Sequence, residues 1–109
     1  MFLLVDTKKI IEIRIANNFF FKFKGFMGQK NIKKGLYFPA CNSIHMFFMK
    51  EPIDVLYLNR EGIIISMDER LKPWTIGKIR FSGKSLVELP QGTIFQFDIK
   101  QGQKVTILT

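Results

Sequence analysis

Cysteine, histidine and tryptophan occur once each in 109 residues, as Cys41, His45 and Trp74. A single thiol cannot close an internal disulfide, so nothing argues for an oxidising compartment and a reducing cytoplasm is expected. One Cys and one His also fall short of the three or four protein ligands that zinc sites use, so no metal and no cofactor are expected. Long apolar runs are missing too. Ile63–Ile65 and Phe19–Phe21 are far shorter than the roughly twenty residues that cross a bilayer, so no transmembrane segment is expected. The apolar start, Met1–Val5, stops at Asp6 without a basic segment before it or a small-residue cleavage site after it, which argues against a secretory leader. No phosphate-cradling glycine loop and no Gly-x-Ser-x-Gly elbow is present. Asp68-Glu69, the one close carboxylate pair, reads as loop surface.

Acidic residues are scarce as well. Nine Asp and Glu against seventeen Lys and Arg leave a net charge of +8. Between positions 7 and 35, Lys8, Lys9, Arg14, Lys22, Lys24, Lys30, Lys33 and Lys34 meet only Glu12. Such a stripe attracts anions, nucleic acid among them, and Phe19–Phe23 would offer stacking rings. The preferred reading is a solvated lysine surface that keeps a chain with twelve Phe soluble, with those rings in the core and no nucleic-acid partner. What the chain has in quantity is apolar residues, 47% of the total, which excludes intrinsic disorder. The length suits one domain, 1–109.

Glycines and prolines punctuate the chain at short intervals, with brief apolar runs between them. That rhythm predicts a mainly β, single-domain sandwich or barrel-like fold of about seven or eight short strands with one or two short helices. Ile11, Ile13 and Ile15 alternate with Glu12 and Arg14, which marks 10–16 as a strand with one wet face. Asn17-Asn18 would cap a short helix through 19–26, with Phe19-Phe20-Phe21 as a continuation of the strand the alternative. Leu36–Phe38 is a strand stopped by Pro39, and His45–Met49 reads as extended. Ile53–Leu58 and Ile63–Met67 flank Asn59–Gly62 as the clearest hairpin. Leu71–Gly77 is a loop, and Trp74 behind Pro73 either packs on the sheet edge or offers a stacking platform. Ser85–Leu89 is a strand, 93–98 a helical turn, and Lys104–Leu108 a last strand with Val105 and Ile107 on one face.

Several fragments carry a resemblance. They are Lys22-Phe-Lys-Gly-Phe-Met-Gly28, Leu36-Tyr-Phe-Pro39, Cys41-Asn-Ser-Ile-His-Met-Phe-Phe-Met49, Pro52-Ile-Asp-Val-Leu-Tyr-Leu58, Val87-Glu-Leu-Pro-Gln-Gly92 and Lys100-Gln-Gly-Gln-Lys-Val105. From about Ala16 to the C-terminus the chain resembles the bacterial and archaeal family known as domain of unknown function 192. It departs from that pattern in having Lys22 for an arginine and Gln91 for an alanine. The resemblance implies a compact β-rich domain and no particular activity.

The candidate site is Cys41, Asn42, Ser43, His45, Met49 and Asp54. If 43–49 is extended, Ser43, His45, Phe47 and Met49 share one side. A bend at Lys50–Pro52 would then bring Asp54 to His45, with Cys41 at the entry. Met46, Phe47, Phe48 and Met49 would line a soft pocket or fill core, the latter for at least two of them. Each polar residue also has a structural reading: a small buried thiol, an imidazole that locks the bend, a carboxyl that accepts loop N–H groups. Glu88 is out of place between apolar neighbours and would pair with Lys22 or Lys24, or face water. Two functions compete. One is a non-enzymatic binding or accessory module for a small molecule or a protein. The other is a small enzyme using Cys41 or His45.

Overall fold

The computed structural model describes residues 1–16, 26–77, 79–80 and 82–109. The short helix expected over 19–26 falls mostly on residues outside that set. Among the described residues there are seven strands and one short helix. In chain order they are β1 (Phe2–Val5), β2 (Lys8–Ile15), β3 (Gly35–Pro39), β4 (Ile53–Leu58), β5 (Ile64–Leu71), β6 (Ser85–Pro90), α1 (Thr93–Gln96) and β7 (Val105–Leu108). The mainly β reading is correct, and of the two architectures expected the barrel-like one is found.

The strands form one sheet in the order β5-β4-β6-β3-β2-β1-β7. β2 and β3 run parallel; the other neighbouring pairs are antiparallel. The sheet curls into a half-barrel whose edge strands meet at one end. There Ile64 N–H donates to Gln103 at 2.9 Å, Gly102 N–H to Ile64 at 2.8 Å and Val105 N–H to Gly62 at 2.8 Å. These bonds cover backbone that an open edge would leave unpaired. β1 extends the sheet where the sequence reading had no strand, and it pairs with both β2 and β7.

Strand parity divides the apolar residues between two clusters, because successive side chains leave opposite faces. Leu56 and Leu58 of β4 join Leu3, Ile13, Val87 and Leu89, and Ile94 and Ile99 close over them. Ile53, Val55 and Tyr57 face the other way, against Leu36, Phe38 and Leu86, and loop residues Phe26, Met46 and Met49 cover them. β4 is therefore buried along its whole length. Gly35 sits where strands crowd. A Cβ there would lie 2.7 Å from Ile13 Cγ2 and 3.3 Å from the Glu88 carbonyl.

Candidate functional site

Residues 41–49 form a strap, not a strand. Met46 N–H donates to Thr75 at 2.7 Å, Trp74 N–H to Met46 at 2.7 Å, Gly77 N–H to Ile44 at 2.8 Å and Arg80 N–H to Asn42 at 3.0 Å. A single antiparallel bridge joins His45 to Ile76. Beyond His45 the chain turns, with Met49 N–H donating to Met46 at 3.3 Å. Phe48 takes φ 61°, in the left-handed region that ends any extended run. The expected alternation over 43–49 therefore fails. Met46 and Met49 go into the core, as expected for two of the four apolar residues, while Phe47 and Phe48 come out.

Phe48 and Trp74 share an unusual pair of properties. Both have left-handed backbone, Trp74 with φ 63°. Both are exposed, 59% and 61%. Left-handed geometry costs a bulky L-residue about 1–2 kcal/mol. Their rings meet edge to face at 4.8 Å. Phe47 lies 6.2 Å from Trp74 and 5.1 Å from the His45 ring. Ile76 and Ile79, both exposed, are further large apolar residues of the Trp74-bearing segment. Trp74 is thus not the buried anchor that one reading of Pro73-Trp74 expected. The outcome is a ledge of exposed aromatic rings, Phe47, Phe48 and Trp74, on a segment that also exposes Ile76 and Ile79.

The strap is held from below by a polar triangle that the sequence reading missed. The buried Tyr57 hydroxyl donates to Asp68 Oδ2 at 2.8 Å. Arg80 Nη2 reaches Asp68 Oδ1 at 3.0 Å, and its guanidinium lies 4.2 Å from the Tyr57 ring centre. Burial, with the hydrogen bond to Asp68 second, pushes the Tyr57 phenol well above its ordinary value. Gly77 crosses directly above, where a Cβ would stand 3.2 Å from that hydroxyl. Asp68 belongs to β5 and is half-buried, so Asp68-Glu69 is not loop surface. The signal available was parity: Ser66 and Asp68 share a face, and both bond Arg80.

The expected meeting of Asp54 with His45 does not occur. Asp54 is 0% exposed, and parity puts it with Leu56 and Leu58, on the face of β4 away from Met46 and Met49. Its Oδ1 accepts from Arg70 N–H and its Oδ2 from Ile94 N–H, each at 2.9 Å. Met49 is buried, on the core side of the strap. Cys41, Asn42, Ser43 and His45 remain together on the half-exposed strap. The Cys41 thiol donates to the Ser43 carbonyl at 3.2 Å, and His45 Nδ1 accepts from Phe47 N–H at 3.3 Å. A catalytic thiol would need a base beside it and a raised thiolate fraction. Alkylation of the folded protein by iodoacetamide at pH 7 is accordingly expected to run no faster than that of glutathione. A rate tenfold or more above glutathione would favour the enzyme reading over the binding module.

Glu88 does not face water. It is buried, Oε1 has no hydrogen-bond partner among the described residues, and the Phe26 N–H bonds the carboxyl. Burial pushes this carboxyl up to about 8, against the opposing effect of the Phe26 bond. Lys22 and Lys24, its expected partners, lie outside the described residues. Among the described residues no cluster of three or more His, Cys, Asp or Glu could hold a metal ion, and no helix is long and apolar enough to cross a membrane.

Comparison with known proteins places this geometry in context. The family model described as Uncharacterized ACR, domain of unknown function 192, matches residues 2–107. A UPF0127 protein of Thermococcus sibiricus is 30% identical over 100 residues, which is 86% of this chain and 64% of that protein. One from Pyrococcus furiosus is 31% identical over 100 residues, covering 87% of this chain and 85% of the relative. The chain thus spans a little under two thirds of the first of these relatives. Among solved structures, a protein of unknown function from Novosphingobium aromaticivorans superposes with TM-score 0.86 at 16% identity, over 98% of this chain and 84% of its own. A putative transcription regulator from Sinorhizobium meliloti gives 0.77 at 18% identity, over 86% and 79%. At those identities the likeness concerns the fold alone.

Proposed function

We propose that this chain, which belongs to the domain of unknown function 192 family, is a non-catalytic binding module that takes a protein partner on the aromatic ledge. One observation carries the reading. Phe48 and Trp74, two bulky residues, keep left-handed backbone while exposing more than half of their surface. Folding alone gains little from such an arrangement, since it combines strain with apolar surface left in water. Recognition gains from it, because rigid exposed aromatics bury large area at small entropic cost when a partner arrives.

The rings are tilted or edge-on to each other, and the aliphatic Ile76 and Ile79 belong to the same segment. That relief suits the uneven apolar face of a peptide better than a flat stack of bases. The exposed Lys50 and Lys72, each within two residues of a ledge aromatic, favour acidic residues at the margin of such a peptide. Cys41, Asn42, Ser43 and His45 would form the polar rim of the same surface.

Trp74 is the one tryptophan, so its emission reports directly on occupancy. Peptides selected from a random phage-displayed library on the wild-type protein are expected to be apolar with acidic flanks. They should shift Trp74 emission to the blue. Phe48→Ala is expected to weaken them at least tenfold, the cost of one central aromatic anchor, while the thermal midpoint stays within about 4 °C of wild type. Selected peptides that leave Trp74 emission unchanged, or that bind Phe48→Ala as well as wild type, would overturn the reading.

A further inference from the structure

A second feature lies on the basic stripe. The end of β2, the loop 26–34 and the start of β3 line a half-open cavity of about 290 Å³. Its lining is divided by chemistry. Phe26, Ile32 and Leu36 supply an apolar floor and are themselves almost fully buried. Arg14, Lys30, Lys33 and Lys34 supply the rim, and no acidic residue is among the described residues that line it.

The loop that carries this rim is set by bonds to the rest of the chain. Glu51 takes Asn31 N–H at 3.1 Å and Ile32 N–H at 3.0 Å, one carboxyl oxygen to each. Asn31 has φ 54°, and Gly28 N–H donates to Phe48 at 2.9 Å. Lys34 is held 3.0 Å from Glu12. The cations are therefore presented by anchored backbone, and the two carboxyls that bond this region leave it with a net positive charge.

We infer that this cavity binds a small phosphate monoester whose organic part is a compact apolar group about the size of one aromatic ring. Two matches support this choice. The anionic end meets several cations at once, which suits a dianion better than a single carboxylate. The floor and the volume, near the lower limit of small-molecule pockets, suit one ring and little more. A solvated lysine surface, by contrast, needs neither an apolar floor nor a concave shape.

The test uses three probes against the whole chain: phenyl phosphate, inorganic phosphate and phenol. Backbone amide shifts are followed in ¹⁵N–¹H spectra. Phenyl phosphate is expected to shift the amides of Gln29–Leu36 saturably, at least fivefold more tightly than inorganic phosphate or phenol alone. Lys33→Ala and Lys30→Ala remove exposed side chains, so spectra away from the loop should not change. Each is expected to weaken phenyl phosphate roughly tenfold, while Lys8→Ala leaves it as it was. The proposal is overturned if phenyl phosphate and inorganic phosphate titrate with equal midpoints, if shifts spread over all lysines, or if no shift saturates. Trp74 emission does not enter this readout, so its outcome is separate from that of the ledge.

Discussion

Asp54→Ala is expected to destabilise the protein by about 2–4 kcal/mol, the cost of one buried and one half-buried backbone N–H group left without acceptors. The reason lies in the register of β4 and β5. Ile53 faces Leu71, but Val55 faces Asp68, so one residue on β4 opposes Glu69 and Arg70 on β5. This is a bulge, and Arg70 takes left-handed φ 51° within it. The Arg70 N–H thereby loses its ladder partner and turns to Asp54 Oδ1. The other oxygen accepts from Ile94, in the first turn of α1, whose cap residue Gly92 has no side chain to do so. One carboxyl thus joins β4, the bulge and the helix. Asp54→Asn is the sharper variant. Its amide presents one acceptor and one donor to two donors, so it should lose most of what alanine loses despite its matching shape. Urea denaturation measures both, and the thermal midpoint should fall by at least about 10 °C for a domain of this size. A loss below about 0.5 kcal/mol for Asp54→Asn would show that these bonds do not hold the three elements together.

The same residue shows what the sequence could convey. Parity correctly grouped Asp54 with Leu56 and Leu58 on one face of β4. It could not say which face meets residues 41–49, because strand order decides that, and β6 intervenes between β3 and β4 although it follows both in the chain. The hairpin 53–67, the stops at Pro39 and Pro90 and the turn at 93–96 were legible, since local breakers and alternation set them. β1 was not, because four apolar residues without alternation carry no strand signal of their own. The strap was misread for a related reason. Nothing about a phenylalanine announces φ 61°; bonds from Gly28 and Trp74 to the 46–48 turn hold Phe48 there. The oddity of Glu88 was visible in its apolar neighbours, and its burial was not.

Glu88→Gln is expected to make the protein more stable, increasingly so as the pH rises. In the unfolded chain this carboxyl titrates near 4.5, and in the fold it is pushed up to about 8. Below 4.5 both states hold the proton and Glu88 has no effect on the balance. Between 4.5 and 8 the unfolded chain releases the proton while the folded chain keeps it, so the native state loses about 1.4 kcal/mol per pH unit. Above 8 the loss is complete. Glutamine cannot ionise and removes that slope, though its extra N–H also lacks a partner and takes back part of the gain. At pH 7 the net stabilisation should be about 2 kcal/mol. Urea denaturation at pH 5, 7 and 9 separates this from a packing effect. A packing change would offset both proteins equally at every pH, whereas titration makes the difference small at pH 5 and largest at pH 9. A pH-independent offset would mean that Glu88 ionises in the fold as freely as in the unfolded chain. The widening difference, if found, identifies a proton held beside β3, opposite Leu36, on a carboxyl bonded by the Phe26 N–H at the floor of the basic cavity. Phosphate binding there is then expected to change with pH in the wild type between 6 and 9 more than in Glu88→Gln, since ionising Glu88 places a negative charge behind the cavity floor.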